Sequence, residues 1–156
     1  MPAERVDEFT VIKTYRDDLR WQWGREVAFL RRLERAGDPY FPRIIELGDH
    51  SITMNWCGRS LTDRATFGVH PNAIRAQLAH AVTCLEREQI RHRDITEHNV
   101  LWHPDAGLHL VDFGWSCWEW EERTPIPLPD VMHGMRRPDR AQIDDLMKKL
   151  ETLRHG

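Results

Sequence analysis

Residues 90–102 read IRHRDITEHNVLW, and residues 110–114 read LVDFG. These two stretches decide the reading of the chain. Asp94 is followed five positions later by Asn99 and eighteen positions later by Asp112. Those residue types suit phosphoryl transfer. One carboxylate, Asp94, faces an attacking hydroxyl and orients it or takes its proton. A second, Asp112, holds Mg²⁺ against nucleotide phosphates, and the amide of Asn99 completes the metal shell. Gly114 frees the backbone to turn sharply after the metal ligand.

In this order and at this spacing, H-R-D-x-x-x-x-N followed by D-F-G resembles the protein-kinase-like superfamily. The resemblance implies an ATP- and Mg²⁺-dependent phosphotransferase, with Asp94 as the base and Asn99 and Asp112 as metal ligands. It also implies a lysine on a small-lobe strand, paired with a glutamate on the first helix. Lys13 stands in a V-I-K setting within EFTVIKTY, residues 8–15, an alternating stretch that reads as a strand. Phe9, Val11, Lys13 and Tyr15 share one face of it. Asp17 and Asp18 open a predicted helix that runs to about Arg35 and stops at Gly37. Its apolar stripe is Trp23, Val27, Leu30 and Leu33, and Glu26 falls inside that stripe. A carboxylate there is costly unless paired, and Lys13 is the partner the resemblance implies. Of 22 basic residues only Lys13, Lys148 and Lys149 are lysine, so Lys13 needs a reason. Residues 52–58, ITMNWCG, resemble the last small-lobe strand running into a hinge. Met54 is then the gatekeeper, and backbone groups of Asn55, Trp56 and Cys57 meet adenine.

The departures from the superfamily pattern carry expectations too. Twelve residues precede Lys13, into which two strands and a glycine-rich loop do not fit. Position 96 is Thr rather than Lys, and no A-P-E follows D-F-G. With 42 residues after Gly114, the helical lobe is expected to be truncated. An open site of that kind suits a small-molecule or glycan hydroxyl rather than a folded protein, a protein Ser or Thr being the other acceptor. These features resemble small bacterial kinases of polysaccharide and lipopolysaccharide biosynthesis, including the kinase part of O-antigen chain-terminating enzymes. FGWS at 113–116 and the RRPD run before a helix containing Asp144 and Asp145 carry that narrower resemblance.

The predicted fold class is α+β: a reduced protein-kinase-like two-lobe fold with a small N-terminal sheet, one helix, a truncated helical C-lobe and no glycine-rich loop. One domain is expected over 1–156, with a small lobe at 1–57 and the C-lobe at 58–156. Strands are predicted at 43–47 and 51–56 and a short helix at 60–66. A longer helix starts at Pro71 and ends near Gln89, with Ile74, Leu78, Ala81 and Leu85 on one face. Short strands and turns follow, then an extended stretch at Pro125, Pro127 and Pro129. A last helix opens at Asp139 with Gln142 as its capping pair, and buries Ile143, Leu146, Met147, Leu150 and Leu153.

Composition bounds the function. The chain has 156 residues, a net charge of −3, 40% hydrophobic and 30% charged residues, which describes a folded domain. The charge balance does not suggest a nucleic-acid partner. No apolar run approaches the roughly 18 residues of a membrane span, and charges in the first twenty residues argue against a secretory signal. Cys57, Cys84 and Cys117 are widely spaced, which reads as reduced thiols in a cytoplasmic protein. The seven Trp residues are expected to be mostly buried, with Trp102, Trp115, Trp118 and Trp120 in the core or lining a groove. His92 and Arg93 are expected to be structural, and Arg136 and Arg137 a solvated basic turn. Two other readings stand beside the kinase. One is a nucleotide-binding pseudokinase module that works through a partner. The other is a divalent-metal hydrolase built from His92, Asp94, His98, His103, His109 and Asp112.

Overall fold

Alternation in residues 8–15 produces the central strand of the first lobe. The computed structural model describes residues 3–123 and 137–156; Pro125, Pro127, Pro129 and Arg136 lie outside the described residues. β2 (Thr10–Thr14) pairs antiparallel with β1 (Ala3–Arg5) on one side and β4 (Ser51–Asn55) on the other. β3 (Ile44–Leu47) closes the sheet in the order β1-β2-β4-β3. β1 goes beyond the sequence expectation, for its three residues carry no strand signal and are held by main-chain pairing to β2. Lys13 and Tyr15 point inward, whereas Phe9 is 74% exposed in the turn before β2 and does not share their buried face.

A 3-10 turn at Asp17–Leu19 leads into α1 (Arg20–Ala36), which ends at Gly37 with φ +78°. A left-handed residue after the last turn is a common helix stop, and glycine reaches it without strain. The buried face of α1 is Gln22, Glu26, Phe29, Leu30 and Leu33. That face is rotated from the predicted stripe, and Trp23 and Val27 are only half-buried. The rotation brings Phe29 against the rings of Phe113 and Trp118, with centroids 6.5 and 4.8 Å away.

In the second lobe α2 (Pro71–Arg87) starts with proline in its first turn and buries Ile74, Leu78, Ala81 and Leu85, as the spacing predicts. It packs against α3 (Asp139–His155) and β8 (Gly107–Leu110). Residues 60–66 differ from the expected helix. β5 (Arg59–Ser60) pairs with β7 (Val100–His103), and a 3-10 turn, Arg64–Thr66, follows. Tertiary pairing overrides local preference here, since the Leu61 amide donates to the carbonyls of Glu97 and Val100. β8 completes the sheet β5-β7-β8, and β6 (Ile90–Arg91) pairs with β9 (Cys117–Trp118). The apolar face of α3 is as predicted except Leu153, which is 40% exposed.

The result is an α+β plan of two lobes: a small antiparallel sheet with one helix, beside a mainly helical part. One apolar cluster runs through both, with Phe113 at the crossing between Phe29, Phe41 and His92. No indole is fully buried, contrary to expectation; Trp21 and Trp120 are exposed and the other five half-buried. Trp23, Trp102 and Trp118 pack against the margin of the core, and Trp23 Nε1 finds its acceptor in the Ser51 carbonyl. No helix among the described residues is long and apolar enough to cross a membrane.

Candidate active site

A cavity of about 440 Å³ opens between the sheet and the second lobe. Its roof is one face of the β1–β2 ribbon. Ala3 lies opposite Lys13 and Arg5 opposite Val11, and all four line the cleft. The other lobe contributes Asn99, Leu101, Val111 and Asp112.

Lys13 is 4% exposed and Glu26 1% exposed. Lys13 Nζ stands 2.8 Å from Glu26 Oε2 and 2.9 Å from Asp112 Oδ1. The other Glu26 oxygen accepts from the Phe113 amide at 3.2 Å. β2, α1 and the turn after β8 therefore meet at one ammonium group. Burial pulls the Lys13 ammonium down, but the two carboxylates outweigh it and hold it above the ordinary lysine value. Burial pushes the Glu26 carboxyl up, opposed by Lys13. Burial raises Asp112 too, but the charge and hydrogen bond of Lys13 prevail and keep it below the usual carboxylate range.

The loop carrying Asp94 is held from both sides. Arg93 and Asp112 are non-glycine residues at φ +72° and +66°. Such conformations cost energy and persist where surroundings impose them. The imposition is visible. His92 is fully buried; its Nδ1 accepts from the Asp94 amide and its Nε2 meets the Val111 carbonyl at 2.9 Å. Asp139 accepts from the amides of His92 and Arg93 at 2.8 and 2.9 Å. Gln142 accepts from the Ile95 amide and donates to the Arg93 carbonyl. Asp139 and Gln142 are thus not a capping pair for α3, whose N-cap is Pro138 without a side-chain bond. Both reach back to residues 92–95 instead. Sequence reading missed this role. The available signal was two polar residues adjoining the apolar face of an amphipathic helix.

Asn99 Nδ2 donates to the Asp94 carbonyl and to its Oδ2, at 2.9 and 2.8 Å. The main chain of Asn99 accepts from the Val111 amide, which ties this loop to Asp112. Asn99 Oδ1 and Asp112 Oδ2 have no protein partner among the described residues. Hard oxygen donors of this kind fit Mg²⁺. Burial pushes the Asp94 carboxyl above the usual range, with His92 opposing and Asp112 adding to the rise.

At the hinge Met54 is 5% exposed, behind the cleft. The Asn55 amide donates to the Arg43 carbonyl, and the Trp56 amide to the Phe9 carbonyl at 2.7 Å. The N–H groups of Asn55 and Trp56 are therefore already engaged within the protein, and Trp56 presents its ring to the cleft. The Asn55 carbonyl accepts from the Cys57 thiol, with Sγ 3.4 Å away. Burial pushes the Cys57 thiol up to about 12, which leaves it inert as a nucleophile.

The six residues of the metal-hydrolase reading do not converge. No group of three or more His, Cys, Asp or Glu among the described residues could hold a metal ion. Both His92 nitrogens are engaged, and His103 Nδ1 accepts from the amides of Asp105 and Ala106. Arg137, expected in a solvated turn, pairs with Asp145 at the surface.

The RIO domain, a family within the protein-kinase-like atypical kinases, matches residues 5–123. The match takes in Lys13, Glu26, Asp94, Asn99 and Asp112, and stops before α3. It supports the kinase-like superfamily and lends nothing to the narrower resemblance to polysaccharide kinases. No curated protein matches the chain.

Proposed function

The chain belongs to the RIO-domain family of kinase-like proteins, and on that premise we propose that it transfers the γ-phosphoryl group of ATP to a hydroxyl acceptor. One observation carries this reading: a buried ammonium, Lys13, bridges Glu26 and Asp112 at the roof of the cleft. An ion pair with a desolvation cost of several kcal/mol per charge is a poor stabiliser. A lysine held there by Glu26 is well placed to take up phosphate oxygens of a nucleotide.

In this reading the acceptor oxygen forms a bond to the γ-phosphorus while the bond to the bridging oxygen breaks and ADP leaves. The hydroxyl proton passes to Asp94, whose raised affinity for a proton suits a general base. Asn99 orients that carboxylate through Nδ2. Lys13 holds the α- and β-phosphates, and Glu26 holds Lys13. Asn99 Oδ1 and Asp112 Oδ2 are the atoms that would ligate Mg²⁺, which supplies positive charge against the phosphates.

The test is transfer of ³²P from ATP to a panel of sugars, oligosaccharides and proteins. A glycan or small-molecule hydroxyl is the first arm, and a protein hydroxyl the second. Transfer that is lost in Asp94→Asn supports the proposal. Thermal stabilisation by ATP–Mg²⁺ is the companion measurement, about 2.7 kcal/mol at 100 times the Kd. Stabilisation without ATP consumption anywhere on the panel identifies a nucleotide-binding module instead. No stabilisation overturns both.

A further inference from the structure

The roof of the cleft holds a residue that the catalytic set leaves unused. Arg5 lines the cleft, and its guanidinium lies 4.1 Å from the centroid of the Trp56 ring. We propose that Arg5, seated on Trp56, is a nucleoside-binding residue, through which the β1–β2 hairpin clamps the base and ribose end of the nucleotide. The proposal rests on the reading of the cleft as an ATP site.

Three observations place this clamp at the nucleoside end. Ala3, not Arg5, opposes Lys13 across the ribbon, while Arg5 opposes Val11. Two residues along a strand is about 7 Å, so Arg5 stands one step from the phosphate end toward the hinge. Trp56 belongs to that hinge, and its amide is fixed by the Phe9 carbonyl at 2.7 Å. The ribbon's tip is therefore anchored to the hinge on both strands.

The guanidinium is also held in place. Its Nε donates to the Asp7 carbonyl at 3.0 Å, and its Nη2 to the Glu8 carbonyl at 3.2 Å. The Asp7 carboxylate accepts from the amides of Phe9 and Thr10, which closes the turn beneath it. Nη1 has no partner among the described residues. A planar cation presented this way can lie against a purine face and donate one hydrogen bond to a ribose hydroxyl.

The experiment is calorimetric titration of adenosine and of ATP–Mg²⁺ into the full chain and its variants. Arg5→Leu should weaken both ligands by the same factor, roughly two- to thirty-fold. Arg5→Lys, which keeps the charge and loses the plane, should recover only part. Glu4→Ala removes an exposed side chain of the same strand that does not line the cleft, and should bind both ligands as the wild type does. Equal binding by wild type and Arg5→Leu overturns the proposal. So does a loss confined to ATP, which would put Arg5 at the phosphates, or an equal loss in Glu4→Ala, which would make the strand rather than the guanidinium responsible. A wild-type chain that binds neither ligand overturns the ATP-site reading itself, a result distinct from the others.

Discussion

Asn99 donates through one nitrogen to both the carbonyl and the carboxylate of Asp94, at 2.9 and 2.8 Å. The amide thereby fixes the direction of the group that would receive the acceptor proton. Asn99→Leu keeps the volume and removes both bonds, and should lower kcat by about 10²-fold or more. The pH profile gives a second readout. Burial raises Asp94 above its ordinary 3.8, while the Asn99 hydrogen bond lowers it. A general base works deprotonated, so kcat falls as pH drops through the folded value. That acid limb should lie above 3.8 in the wild type. It should move further up in Asn99→Ala if enough activity remains to titrate. A limb that does not move in Asn99→Ala contradicts the assignment.

Lys13 balances two carboxylates, so its loss exposes both. Lys13→Met should destabilise the fold by about 3–5 kcal/mol, the usual cost of breaking a buried pair from one side. Urea denaturation at neutral pH measures it. Adding Glu26→Gln to Lys13→Met removes the most buried of the stranded charges and should restore part of the loss. Phosphoryl transfer should stay abolished in the double variant, which separates the folding role of Lys13 from its proposed phosphate contact. Full activity in Lys13→Met sinks that contact.

Much of the site was legible because its signals are local. Lys13 sits in an alternating strand, Glu26 breaks an apolar stripe, and the order of Asp94, Asn99 and Asp112 fits one chemistry. What could not be read depends on pairing across long stretches of chain. β1 is three residues held by β2. Residues 59–60 become a strand because β7 is there to pair with them. Asp139 and Gln142 had the spacing of a capping box, and nothing local distinguishes a cap from a reach to amides 46 or 47 residues earlier. The indoles lie less deep than expected: Trp21 and Trp120 are exposed, five are half-buried, and Trp23 gives its N–H to a main-chain carbonyl.

Asp139 offers a direct test of that reach. It is 6% exposed and receives two amides of the loop before Asp94. Asp139→Ala leaves both unsatisfied, at about 1–3 kcal/mol each. A helix N-terminus also favours a carboxylate, by some 0.3–1 kcal/mol. Asp139→Asn keeps one acceptor oxygen and should cost clearly less than alanine. If the residue served only as a helix-end charge, both variants would lose the same small amount in chemical denaturation.

Gly58 joins the hinge to the second lobe at φ +106°, where side chains other than glycine's are strained. A Cβ there would stand 2.2 Å from the Trp102 carbonyl oxygen and 2.5 Å from the His103 amide nitrogen. Both atoms are backbone of β7, which is paired to β5 and β8 and cannot step aside alone. Gly58→Ala should therefore cost more than about 3 kcal/mol, combining backbone strain with displacement of a paired strand. The same displacement moves Leu101, on the wall of the cleft, so any folded fraction should bind nucleotide more weakly. Gly24→Ala is the matched control. Gly24 lies inside α1 with nothing within 4 Å of its would-be Cβ, and alanine there should stabilise by roughly 0.5–1 kcal/mol. Opposite signs for one chemical change are the expected outcome, and a Gly58→Ala chain as stable as the wild type would break the link drawn between hinge and cleft.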